Sequence, residues 1–165
     1  MSGSKLDNSI DTGGHRFLLQ FTGDWQGTSK TYFEPGVVAD ETAVEATVRP
    51  LFDNRFVQLN YKSSLQGKPF EGSMILGLHL LDNNWQMSWV DTFHMGTGIM
   101  HASGPYINDS FNVLGRYSTG GDNPEYWGWR TVIERNGSDG FTLKAYNIEP
   151  GGPDQLAIEM ILGSI

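Results

Sequence analysis

Trp85, Met87, Trp89 and Asp91 occupy alternate positions of one strand-like run, so the two-residue period puts them on a single face. The large apolar members call for burial, and they carry the Asp91 carboxylate inward near the end of the run. A carboxylate there could accept a hydrogen bond from a ligand, or act as a base with a raised pKa. The competing reading is local: Asp91 caps the turn before Phe93 and bonds the backbone amides of Thr92 to Gly96. The turn-forming Gly96-Thr97-Gly98 favours that reading. His94 follows Asp91 by three positions, a spacing that could supply two metal ligands. The remaining ligands would have to come from His79, His101 or Glu71, and no spacing demands them. A surface or turn-bonded His94 is the commoner outcome. His79 and His101 alternate with Leu78, Leu80, Met100 and Ala102, which places both on the outer face.

A second group lies later in the chain. Trp127 and Trp129 alternate inward and leave Gly128 and Arg130 on the other face. Arg130 could turn into a pocket mouth and hold a ligand carboxylate with two parallel hydrogen bonds. An ion pair with Glu134 or Glu159 on the strand face is the commoner arrangement. Tyr61, Arg116, Tyr117 and Asn147 are further polar lining candidates whose inward or outward sense depends on bulges. The chain has no G-x-S-x-G, no H-E-x-x-H and no phosphate-binding loop, and Gly96-Thr97-Gly98 does not open a helix after a strand. No catalytic residue is assigned on this basis.

Composition narrows the classes. The 165 residues contain no Cys, which excludes disulfides, thiolate metal sites and a Cys nucleophile. Lys and Arg number 11 against 19 Asp and Glu, a net charge of -8 that repels nucleic acid and anionic membranes. No apolar run approaches the ~20 residues of a membrane helix, and the polar start lacks the pattern of a signal peptide. A cytoplasmic protein is expected.

The elements that must position these groups are almost all strands. Residues 1–13 read as a flexible lead-in and 14–165 as one domain. His15 to Phe21 predicts a short helix, with Thr12 as its cap. Alternating or β-rich runs then follow at Trp25–Glu34, Thr42–Phe52, Arg55–Leu65, Phe70–Leu81, Trp85–Thr92, Thr97–Gly104, Phe111–Ser118, Tyr126–Arg135, Phe141–Ile148 and Leu156–Leu162. Short turns join them, so an antiparallel up-and-down meander is expected. About ten strands hide their edges best by closing into a barrel. Thr119 to Glu125, rich in Gly, Asp and Asn, reads as a mobile loop that could form part of a rim.

Gly23-Asp24-Trp25-Gln26-Gly27 fits G-x-W-x-G after a short helix and resembles the opening of lipocalin-like and nitrobindin-like barrels. In that motif the helix plugs one end, Gly23 makes the turn, Trp25 packs across the floor and Gly27 lets a neighbouring backbone pass. Trp89-Val90-Asp91-Thr92-Phe93-His94-Met95-Gly96-Thr97 resembles the central signature of a bacterial family of unknown function with a lipocalin-like barrel. Thr31 to Gly36, Gly67 to Gly72 and Trp127 to Thr131 are similar to that family too. The resemblance implies an all-β, about ten-stranded, antiparallel lipocalin-like (calycin-like) barrel with an N-terminal plug helix, and transfers no mechanism. Nitrobindin-type barrels hold haem through a His on a late strand. This chain has no His after residue 101, so no haem, metal or other cofactor is expected.

The function expected from these readings is binding of a small hydrophobic or amphipathic molecule inside the barrel. The floor would be Phe17, Phe21 and Trp25, and Met87, Trp89, Trp127 and Trp129 would line the site. Asp91, His94 and Arg130 would be its polar anchors. The alternatives are a small-molecule enzyme using Asp91 or His94 as acid–base groups, and a structural or oligomeric protein with a filled barrel. Ile75, Leu81 and Ile161 lie opposite the inward-facing residues of their strands, and a homodimer through such an apolar outer face is the expected assembly.

Overall fold

A computed structural model describes residues 3–165. Two short helices, α1 (Lys5–Thr12) and α2 (Gly14–Leu19), precede ten strands. The strands are β1 (Gly23–Glu34), β2 (Val37–Leu51), β3 (Phe56–Leu65), β4 (Lys68–His79), β5 (Asn84–Asp91), β6 (Met100–Pro105), β7 (Phe111–Ser118), β8 (Tyr126–Arg135), β9 (Gly140–Ile148) and β10 (Asp154–Ser164). Each pairs with its chain neighbours in antiparallel register, and β1 pairs with β10 to close the barrel. The expected all-β, ten-stranded up-and-down architecture is therefore the observed one. No helix among the described residues is long and apolar enough to cross a membrane.

The start differs from expectation. Lys5–Thr12 lies in the segment read as a flexible lead-in, yet it forms α1, because Ser4 and Asp7 make a reciprocal capping box. Residues 1 and 2 of that segment lie outside the described residues. Thr12 ends α1 rather than capping the next helix; Gly13 is the N-cap of α2 and offers no side-chain bond. The buried His15 ties the two helices, its Nδ1 lying 2.8 Å from Ser9 Oγ.

α2 closes one end. Phe17 packs against Trp85 at 6.0 Å, Phe21 against Phe141 at 5.3 Å, and Trp25 against Phe141 at 4.8 Å. The Trp25 indole N–H also donates to the Phe21 carbonyl at 2.8 Å, which fastens the plug to the first strand. Gly23 turns the chain at φ +147°, a value that side-chain-bearing residues avoid. Each part of the G-x-W-x-G reading thus has a structural counterpart.

The alternation of an up-and-down barrel fixes which loops share an end. The plugged end carries the turns at 52–55, 80–83, 106–110 and 136–139. The opposite end carries those at 35–36, 66–67, 92–99, 119–125 and 149–153. Asp91 is the last residue of β5, so the fold delivers it to that opposite end, beside the 119–125 loop. Inward positions from every strand form one continuous core. Ile75 and Ile161 are exposed on the outer wall, whereas Leu81, expected on the same strand as Ile75, is exposed in the 80–83 turn beyond the end of β4.

The seam between β1 and β10 depends on Gly27, where any Cβ would collide with the backbone of Ile161. Gly27→Ala is therefore expected to lower stability by ~1–3 kcal/mol or to prevent folding, because the obstacle is a carbonyl and not a movable side chain. Urea unfolding measures this, and a midpoint equal to the wild type's would contradict the account of the seam.

Candidate functional site

Asp91 is buried, and both of its oxygens are engaged. Oδ1 accepts from the backbone N–H groups of Phe93 (2.8 Å), His94 and Met95 (3.3 Å). Oδ2 accepts from the Tyr61 hydroxyl at 2.8 Å and lies 2.6 Å from His94 Nδ1. The capping reading of Asp91 is realised through Oδ1, and the expected inward sense holds for Oδ2, but the carboxyl pKa is lowered and not raised as a base would require. The capping also explains why β6 begins at Met100 instead of near Thr97, since residues 92–99 wrap around the carboxylate before the chain can pair again.

Burial by itself would push the Asp91 carboxyl up. The hydrogen bond and charge of His94, with the Tyr61 hydroxyl, outweigh it and hold the carboxyl below its ordinary value. Tyr61 moves the opposite way. Its phenol is raised well above the usual range by burial and then by the neighbouring Asp91 charge, so it stays protonated and donates. The Tyr61 oxygen in turn accepts from the Trp89 indole N–H at 2.8 Å. One chain of hydrogen bonds thus runs Trp89 to Tyr61 to Asp91, with His94 as a second branch.

Aromatic rings enclose the imidazole. Phe93 lies 4.7 Å from it, Trp89 5.5 Å, Phe70 5.8 Å and Trp129 6.0 Å, centroid to centroid. Trp89 and Trp129 stack at 5.4 Å and 18°, although their strands β5 and β8 are separated by two others, so the stack bridges the barrel interior. The His94 side chain keeps 15% of its surface open, and its Nε2 makes no hydrogen bond to the described residues. The Trp129 indole N–H is buried and has no partner among those residues, and the same holds for the Thr131 hydroxyl two positions along β8.

The other expected site residues take different places. Met87 is buried one layer nearer the plug, paired with Leu76 and Ala102. Trp127 sits half-buried at the rim, with its indole N–H 3.3 Å from Glu125 Oε2. Arg130 points outward, donating to Asp154 at 2.8 Å and to Asn112 at 2.9 Å; it pairs with neither Glu134 nor Glu159 and is not part of the cluster. His79 stands at the far end of β4 beside Asp82 (3.1 Å), and His101 lies on the outer face of β6, so neither joins Asp91 and His94. Tyr117 and Asn147 bond each other at 2.7 Å, and Arg116 lies over the Tyr126 ring. Of two hollows, one of about 670 Å³ lies over β3–β7 and reaches Leu6 and His15 of the helices, and one of about 710 Å³ lies over β2–β5 and reaches Tyr61, Asp91 and Gly96; neither is lined by Trp89, His94 or Trp129. Sequence reasoning passed over Phe70 and Thr131. Parity with Trp127 and Trp129 points to Thr131, but Phe70 meets His94 only through the barrel's closure.

The depressed Asp91 carboxyl fixes the sign of a pH effect. Its contribution to stability is complete above the ordinary carboxylate pKa and is lost as pH falls through the lowered value. Asp91→Asn is expected to lower stability at neutral pH by ~1–3 kcal/mol, through loss of charge-assisted bonds in a buried place. The gap to the wild type should then narrow below about pH 4, since only the wild type titrates there. Urea unfolding at several pH values checks this, and a gap constant down to the acid limit would contradict it.

No curated protein matches this chain. Residues 11–162, nearly its full length, match the family described as "Protein of unknown function (DUF1579)". With its ten-stranded barrel and the Asp91–His94 turn at the unplugged end, the chain belongs to that family.

Proposed function

We propose that the unplugged end of the barrel binds a small, partly apolar molecule. Trp89, His94 and Trp129 make the contact, and Asp91 positions them. One observation carries this reading: His94 is fixed through Nδ1, surrounded by four aromatic rings, and leaves Nε2 without a partner among the described residues at a reachable surface. Anchoring the 92–99 turn needs only Asp91 and backbone amides. An oriented imidazole among rings exceeds that need and matches the mix of apolar lining and few polar groups found in ligand pockets. In this reading the protein works in the cytoplasm, away from nucleic acid and membranes, as a net charge of -8 favours.

The same pair supports a second reading, that of a small-molecule enzyme. An Asp fixing one imidazole nitrogen while the other is open is the arrangement of a general base. His94 would then move the proton. Asp91 would orient it, because a carboxyl held below its ordinary pKa is a poor proton acceptor.

A neutral fluorescent probe, aminoanthracene, tests the binding reading. Its emission should rise and saturate at one equivalent. Trp89→Phe and His94→Ala should each weaken binding about tenfold, the loss of roughly 1.4 kcal/mol, with unchanged far-ultraviolet circular dichroism. Absence of a saturable signal in the wild type would contradict the proposal.

We also propose a homodimer through the outer face that exposes Ile75 on β4 and Leu81 in the turn after it. Light scattering at micromolar concentration should return twice the chain mass, and Leu81→Lys should halve it. A monomer mass for the wild type would refute the dimer and leave the binding reading untouched.

A further inference from the structure

The polar groups at the unplugged end restrict what chemistry a ligand there can carry. This inference rests on the binding reading above. Asp91 has no acceptor capacity to spare: Oδ1 takes three backbone N–H groups, and Oδ2 takes the Tyr61 hydroxyl and His94 Nδ1. The Tyr61 hydroxyl is also used in both directions, toward Asp91 and from Trp89. What remains is Trp129 Nε1–H, a donor with no acceptor lone pair, buried and without a partner among the described residues. Beside it on the same inward face of β8 is the Thr131 hydroxyl, fully buried and likewise unpartnered. Native proteins leave few such groups unsatisfied, so two adjacent ones point to an absent acceptor.

His94 supplies the complementary requirement. With Nδ1 held by the Asp91 carboxylate, Nε2 is the ring nitrogen left for a ligand, and in the uncharged form of the imidazole it offers a lone pair that accepts a hydrogen bond. Charge sets a third condition. Asp91 is a buried anion, so a second anion close to it is repelled in a poorly screened setting. Shape sets a fourth: the rings of Trp89, Trp129, Phe70 and Phe93 pack against His94 and each other, so a ligand must part them, which a flat aromatic body does with the least displacement.

We infer that the ligand is a neutral, flat aromatic carbonyl compound, whose carbonyl oxygen accepts from Trp129 Nε1–H and whose O–H or N–H group donates to His94 Nε2. The Thr131 hydroxyl is the second donor within reach of the same inner wall. A carboxylate ligand held by Arg130 does not fit, since Arg130 is spent on Asp154 and Asn112 outside the barrel.

A matched series of probes tests this at neutral pH: a hydroxynaphthyl methyl ketone, the parent naphthol without the carbonyl, and the hydroxynaphthoate in which a carboxylate replaces the ketone. Quenching of tryptophan emission gives affinity, and infrared spectroscopy of carbonyl-labelled ketone reports the hydrogen bond directly. The ketone should bind about tenfold more tightly than the naphthol, the value of one neutral hydrogen bond at the upper end of its range, and more tightly than the naphthoate. Its bound carbonyl stretch should move to lower frequency. Trp129→Phe should abolish that shift and remove the ketone's advantage over the naphthol, both affinities being measured on the variant. Trp129→Tyr, which restores a donor on a similar ring, is the check against a merely disrupted stack and should recover part of the shift. If the naphthol and naphthoate bind as tightly as the ketone, or the carbonyl stretch stays at its solution value, the ligand class is wrong and the binding reading survives. If none of the three binds, both fail.

Discussion

A buried carboxylate must be neutralised, and the unplugged end of this barrel is organised around that requirement. Leaving Asp91 charged in an apolar interior without partners would cost several kcal/mol. The chain meets the demand by winding residues 92–95 so that three amides converge on Oδ1, and by bringing Tyr61 and His94 to Oδ2. The remaining features follow from that solution. The turn is long because it wraps the carboxylate, the phenol stays protonated because it is buried and the anion sits beside it, and the imidazole is oriented because one nitrogen is held. Trp89 is aligned through Tyr61, which in turn sets the ring on which Trp129 stacks.

Barrel closure makes the cluster possible. Tyr61, Phe70, Asp91 and Trp129 come from β3, β4, β5 and β8, and they meet because a closed sheet turns all inward positions toward one axis. The two ends have separate tasks. At the plugged end, Phe17, Phe21, Trp25, Trp85 and Phe141 fill the interior with interlocking rings. At the other end, donors and acceptors replace part of that packing, and some have no protein partner. The plugged end has an unpartnered buried atom too, Asn84 Oδ1, so the ligand-based reading rests on the Trp129 indole lying beside an oriented His94 and not on orphaned atoms alone.

Much of the architecture was legible in the residues. The Asp53-Asn54, Gln66-Gly67, Asn83 and Gly137 turns, each with a positive φ, punctuate the alternating runs where the strands end. The parity of Trp85, Met87, Trp89 and Asp91 gave the inward sense of the carboxylate, and that of Trp127 and Trp129 gave the inward sense of the indole. Arg130 follows the same parity outward, where Asp154 and Asn112 take its donors, and does not turn into the mouth. Less legible were long-range partners. No spacing links Tyr61 to Asp91, thirty positions apart, or Phe70 to His94, because these contacts depend on strand register and on curvature that only closure defines. The helix α1 was hidden for another reason: its signals are a four-residue capping box and a single apolar pair, Leu6 and Ile10, in an otherwise polar segment.

The most direct test is a high-resolution crystal structure of the protein as purified, without added ligand, examined between His94 and Trp129. The account predicts ordered non-protein atoms within hydrogen-bond distance of Trp129 Nε1 and His94 Nε2, with Asp91 still accepting from Tyr61 and the turn amides. A structure in which Trp129 Nε1–H bonds to a protein group, His94 Nε2 does likewise and the rings close over the space between them would contradict it.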